Sequence, residues 1–267
     1  MMNNLLEMFS YTFMIRALIA GIFISISAAL VGVPIVLRKN SMLGDGLSHV
    51  GFAAFALASV LDFAPLPIAL PIVIFASFFI LRLGENSKIH GDSAVALISA
   101  SALAIGTMVV SLAGVNVDIN SYLFGSILSI GEGEVILSVV LSIIIISLYI
   151  FLKNKIFAIT FDEKFAKAIG INTKLYNILL AILCSVVIVL GMRLMGALLI
   201  SSLIIFPTII SGHIFKNFKA VIISSVIIAI LTFLVGLIIS YLLATPTGAT
   251  IVIVNLVVLI VTKLVMR

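Results

Sequence analysis

Long unbroken apolar runs, separated by brief polar interruptions, make up most of this 267-residue chain. Nine runs reach the roughly 20 residues that a helix needs to cross a bilayer's hydrocarbon. They lie at about 15–37, 43–62, 64–83, 93–114, 134–152, 176–193, 195–214, 219–243 and 247–265. A backbone in lipid must bond to itself, so such runs are helices or the strands of a closed barrel. These runs are continuous and far too long for alternating barrel strands. The pattern predicts an all-α polytopic membrane protein with about nine transmembrane helices, forming a single transmembrane domain over residues 1–267. The first run is the weakest, because Arg16 lies near its outer end, where an Arg can snorkel to the interface. Eight spans with an interfacial N-terminal helix is the alternative count.

Two connections are patterned beyond simple turns. Residues 115–133, VNVDINSYLFGSILSIGEG, predict a short interfacial helix. Residues 153–175, KNKIFAITFDEKFAKAIGINTKL, form the longest polar-rich connection, and FDEKFAKAIG within it reads as a short helix. Asp162 is placed to cap it, Phe161, Phe165 and Ala168 or Ile169 to share a face, and Gly170 to end it. A partner docking on this side would grip the segment at about 160–172.

Composition supports the lipid solvent. The chain is 63% hydrophobic and 9% charged, with a mean hydropathy of +1.43, against about a quarter charged residues in soluble domains. Its formal charge of +5 is a topology signal. With the N-terminus outside and the C-terminus cytoplasmic, thirteen of the fifteen basic residues fall on the cytoplasmic side, the exceptions being Arg16 and Arg193. Glu7, Asp62, Asp118, Glu132 and Glu134 fall outside. Segregated in this way, the charge gives no support to a nucleic-acid role. The opening MMNNLLEMFS lacks the basic n-region of a cleaved signal peptide, so the first run is expected to be retained. The lone cysteine, Cys184, lies in an apolar run and reads as a small buried residue. The sequence contains no GxxxxGK[ST] phosphate loop and no HExxH, which argues against ATP hydrolysis or intramembrane catalysis by this chain.

The most informative polar cluster is SMLGDGLSHVG at 41–51. Asp45 and His49, four residues apart, project from the same face of a helix. Carboxylate and imidazole together suit a divalent first-row ion. Two ligands are too few to close a site, but a homodimer would supply four around one axis. Ionisable groups in a span are costly and mark a pathway or a site. The competing reading is that Asp45 caps the second helix and His49 bonds a neighbour. His90 and His213 read as solvated or interfacial, Asp92 as an N-cap, and Asn255 as a bridge between helices. Pro207 reads as a kink, and Gly191, Gly196 and Gly236 as packing positions.

The stretch LRKNSMLGDGLSHVGFAAFALAS resembles the signature of the membrane permease subunits of ABC importers for zinc, manganese and iron. GDSAVALISASALAIG, SYLFGSILSI, FDEKFAKAIGI, MGALLISSLIIFPTI and SYLLATPTGATIVI follow in the order of that family. The likeness spans about residues 16–260, with Gly46 standing where Ala is usual. It implies a permease that works as a homodimer, with a separate cytoplasmic ATP-binding subunit and an extracytoplasmic metal-binding protein. It implies no permanently bound cofactor, only a transported divalent metal ion. It makes Asp45 and His49 the expected metal ligands. The segment carrying Phe161, Asp162, Phe165, Ala166 and Gly170 becomes the expected ATPase-coupling helix, although only Ala166 and Gly170 match the family's coupling loop by type. A siderophore- or cobalamin-type permease and a secondary cation transporter are the alternatives. One carboxylate and one imidazole suit zinc, manganese and ferrous iron alike, so the metal is not readable.

Overall fold

The computed structural model describes residues 10–86, 91–114, 125 and 131–266. Among these residues it is helical throughout: α1 (Thr12–Leu37), α2 (Met42–Val60), α3 (Pro65–Asn86), α4 (Gly91–Ala113), α5 (Glu132–Phe161), α6 (Glu163–Ala168), α7 (Thr173–Met195), α8 (Ala197–Ile214), α9 (Phe218–Leu243) and α10 (Thr247–Val265). Nine of the described helices are long and apolar enough to cross a membrane. The first of them runs unbroken through Arg16, which favours nine spans over eight. The interfacial helix expected within 115–133 falls largely outside the described residues, as do Lys88 and His90.

The bundle has two shells. The helices α1, α2, α7 and α8 are mostly enclosed, while α3, α4, α5, α9 and α10 present most of their surface outward. Small side chains explain the inner shell. Along α1 the buried positions include Ala17, Ala20, Gly21, Ser25, Ala28, Ala29 and Gly32, and such residues let helix backbones approach closely in lipid. Outer helices expose large apolar groups, among them Leu97, Ile105, Met108 and Leu112 on α4. Hydroxyls within the spans bond mainly back to their own helices, as Ser27 does to the Phe23 carbonyl and Thr232 to that of Ile228, which spares them an unmet donor in hydrocarbon. Ser225 of α9 reaches across instead, donating to the Pro207 carbonyl at 3.3 Å.

Several expectations need correcting. The helix expected at 134–152 extends to Phe161. Lys153, Asn154 and Lys155 end the apolar run but do not break a helix, so α5 is roughly 45 Å long. Asp92 lies inside the first turn of α4 and not at its cap. Asn255 is fully buried, and its Nδ2 donates to the Ile251 carbonyl of its own helix, so the expected bridge to another helix is not made by that group. Gly191 and Gly236 do serve close packing, against Ile200 and Ile251. Gly196 has a different role. It alone joins α7 to α8, at φ 91° and ψ 157°, a backbone region open essentially to glycine. Cys184 is fully enclosed in the core.

Replacing Gly196 should therefore be costly. Gly196→Ala is expected to lower the melting temperature of the purified protein in detergent, at a cost of about 1–3 kcal/mol. Gly212→Ala, at an exposed helical position with open space around it, should leave melting unchanged or raise it slightly.

Candidate metal site and coupling element

α1 ends in a tight turn. The N–H groups of Arg38, Lys39 and Asn40 donate to Pro34, Val36 and Ile35, and Lys39 adopts φ 61°. The Asn40 carbonyl accepts from Leu43, which carries the turn into the first turn of α2. Ser41 occupies the N-cap position of α2, and Asp45 sits within the first turn. There the positive end of the helix dipole favours a carboxylate. His49 lies seven residues from the helix start, roughly 10 Å along an axis of about 28 Å. Its Nε2 is 3.8 Å from an Asp45 carboxylate oxygen, too long for a hydrogen bond. The pair is thus close but unclosed, about a third of the way along the helix.

The rest of α2 is largely buried, while Met42, Asp45, His49, Ala53, Leu57 and Val60 form a more open stripe at helical spacing. Asp45 and His49 keep side-chain exposures of 55% and 29% within a single chain. Among the described residues no three His, Cys, Asp or Glu side chains come together to hold a metal. His213 does not join the pair: its Nδ1 lies 2.8 Å from the Ile209 carbonyl of its own helix. Along the edge of the stripe, α2 crosses α4 so closely that a Cβ on Gly46 would overlap Val95, and one on Gly106 of α4 would meet Ala53. The glycine at position 46 is therefore a fitted one.

The second element is α6. Asp162 caps it, accepting from Phe165 N–H at 2.9 Å. At its far end Gly170, at φ 86°, donates to Lys167 and Ile171 donates to Ala166, closing the helix. Ala166 is buried against Ile159 and Tyr176. Phe161 at the end of α5, Phe165 on α6 and Ile169 just after it are each more than half exposed, apolar side chains grouped around a short polar helix.

Charge pairs mark both ends of the bundle. At one end Glu132 and Glu134, in the first turn of α5, meet Arg16 of α1 at 3.2 Å and Arg193 of α7 at 2.8 Å. These are the two arginines that lie off the basic side, so each has a local partner. At the other end Arg38 meets Glu163 at 2.9 Å and Asn177 at 2.7 Å. Asn177 Nδ2 in turn donates to Glu163 at 3.4 Å. Sequence reasoning missed this ring, because its members lie 125 and 139 positions from Arg38 and nothing local joins them.

Nine long apolar helices among the described residues define a polytopic membrane protein. Residues 10–266 match the model of the ABC 3 transport family, and the chain belongs to that family. It is 31% identical to the "High-affinity zinc uptake system membrane protein ZnuB" of Haemophilus influenzae, over 89% of this chain and 91% of that one. It is 30% identical to the "Manganese import system permease protein ScaB" of Streptococcus gordonii, over 91% and 87%. Its fold matches that of a chain of PsaBC from Streptococcus pneumoniae, solved in complex with Fab, with a TM-score of 0.87, 27% identity and coverage of 97% and 94%.

The openness of the stripe can be read chemically. On a Cys184→Ser background, Asp45→Cys and His49→Cys are expected to react with a membrane-impermeant thiol reagent in open membrane fragments. Leu47→Cys, at a fully buried position, should not react. Labelling of Leu47→Cys alone would contradict this arrangement.

Proposed function

We propose that the chain is the permease subunit of an ABC importer that moves a divalent metal ion, zinc, manganese or iron, into the cell. Asp45 and His49 are its ligands for the passing ion. The observation that carries this reading is their position: two compatible donors, four residues apart, on an open stripe of an otherwise enclosed helix. One chain supplies half a coordination shell. A second copy facing the first across this stripe completes it with two carboxylates and two imidazoles, so the working unit is a homodimer. The ion is cargo, and a half-exposed, unclosed pair suits a site that must release what it binds.

Energy comes from a separate ATP-binding subunit on the cytoplasmic side, and the ion from a metal-binding protein outside. With the N-terminus outside and the C-terminus inside, the Arg38 turn and α6 face the cytoplasm. Phe161, Phe165 and Ile169 then offer an apolar knob to the ATPase, with Asp162, Ala166 and Gly170 holding its shape. The relatives' names, zinc in one and manganese in the other at nearly equal identity, leave the metal open. A siderophore-type permease has no need of the Asp45–His49 pair, which favours a bare ion.

Asp45→Ala and His49→Ala are each expected to lower metal uptake at least about tenfold, a loss of the size that metal-site changes produce. Both should still co-purify with the ATPase. Wild-type uptake in both variants would sink the ligand assignment. Phe165→Asp should do the reverse, releasing the ATPase in a pull-down while the permease keeps its melting temperature.

A further inference from the structure

We propose that Glu163 is a positioning residue that ties movement of α6 to the α1–α2 turn, and through that turn to Asp45 and His49. The inference rests on the permease reading above. α6 packs chiefly on α5 and α7, through Ala166. Neither of those helices carries the ligand pair. The Glu163 carboxylate supplies a charge-assisted bond from α6 to the end of α1. One oxygen accepts from Arg38 Nη2 at 2.9 Å. The other lies 3.3 Å from Lys167 Nζ and accepts from Asn177 at 3.4 Å. Arg38 Nη1 closes the ring on Asn177 at 2.7 Å. Lys167 rides on α6 itself and so transmits nothing, whereas Arg38 belongs to another part of the bundle.

Arg38 is also well placed to pass a displacement on. Its backbone is locked into the turn by the bonds at Arg38, Lys39 and Asn40, and the Asn40 carbonyl holds Leu43 at 3.0 Å. Asp45 follows two residues later on the same helix. A pull on the guanidinium therefore moves a hydrogen-bonded unit that ends at the metal ligands. The ring has the strength for this. Arg38 and Glu163 keep only 20% and 33% side-chain exposure, and charge-assisted bonds of this kind exceed neutral ones. There is also room for travel. The ring forms one wall of a cavity of about 470 Å³, whose other wall includes Asp92 and Val95 of α4.

The test uses the whole complex, permease with ATPase and metal-binding protein, in proteoliposomes. It measures zinc, manganese and ferrous iron uptake alongside ATP hydrolysis. Glu163→Gln is expected to keep the bound ATPase and hydrolysis within about twofold of wild type, while ions moved per ATP fall about tenfold, within the usual range of coupling between sites. Arg38→Gln should give the same split and decides the matter if Glu163→Gln does not assemble. The reversed pair, Arg38→Glu with Glu163→Arg, should recover much of the lost ratio. An unchanged ratio in an assembled single variant overturns the inference and leaves the import reading standing. Loss of the ATPase from both single variants also overturns it, because Glu163 would then only shape the docking helix. Wild-type vesicles that hydrolyse ATP without taking up any of the three metals overturn the import reading itself.

Discussion

Hydrocarbon offers no water to a guanidinium or a carboxylate, so a charge near the end of a spanning helix either snorkels to the interface or takes a partner of opposite sign. That constraint shapes both ends of this bundle. At one end α5 begins with Glu132 and Glu134, which hold Arg16 and Arg193 and so fasten α5 to two inner helices. At the other end Arg38, Glu163 and Asn177 join α1, α6 and α7. Between the two belts the helices pack chiefly by shape, with alanine, glycine and serine on the inner shell and a few bonds across helices, such as Ser225 to the Pro207 carbonyl.

The Asp45–His49 pair is held within this frame. Asp45 and His49 follow a turn whose geometry is fixed by three backbone bonds and by the Arg38 side chain. α2 is pressed against α4 at Gly46, which lies next to Asp45 and one turn before His49 on the helix surface, so α4 borders the open stripe. Family resemblance gave Gly46 as a small departure from alanine, and the α2–α4 crossing supplies its cause, since Val95 occupies the volume that a methyl group would need. A helix gripped this closely beside Asp45 and His49 holds both side chains with little slack.

Much of the architecture was legible in the sequence, because hydropathy over 20 residues reports directly on the solvent. The limits of that signal are equally clear. It placed the end of α5 near residue 152, since lysines change solvent preference, but helicity persists to Phe161. The cap at Asp162 and the stop at Gly170 were readable because capping is local. Asp45 and His49 were readable from their spacing, while the openness of their stripe was not, as it depends on which neighbours α2 acquires. The Arg38–Glu163–Asn177 ring was out of reach for the same reason. Gly196 looked like a packing glycine, and only its backbone angles reveal a corner.

That corner has a wider consequence. One residue between two helices of 23 and 18 residues leaves a hinge with just two torsions, both confined to a region that few conformations share. The α7–α8 hairpin has almost no internal freedom and acts as a rigid bracket. Because α7 also carries Arg193 and Asn177 near its two ends, the bracket spans the full depth of the bundle and provides a fixed reference against which other helices are displaced. The angle of that bracket is set by the two torsions of a single glycine.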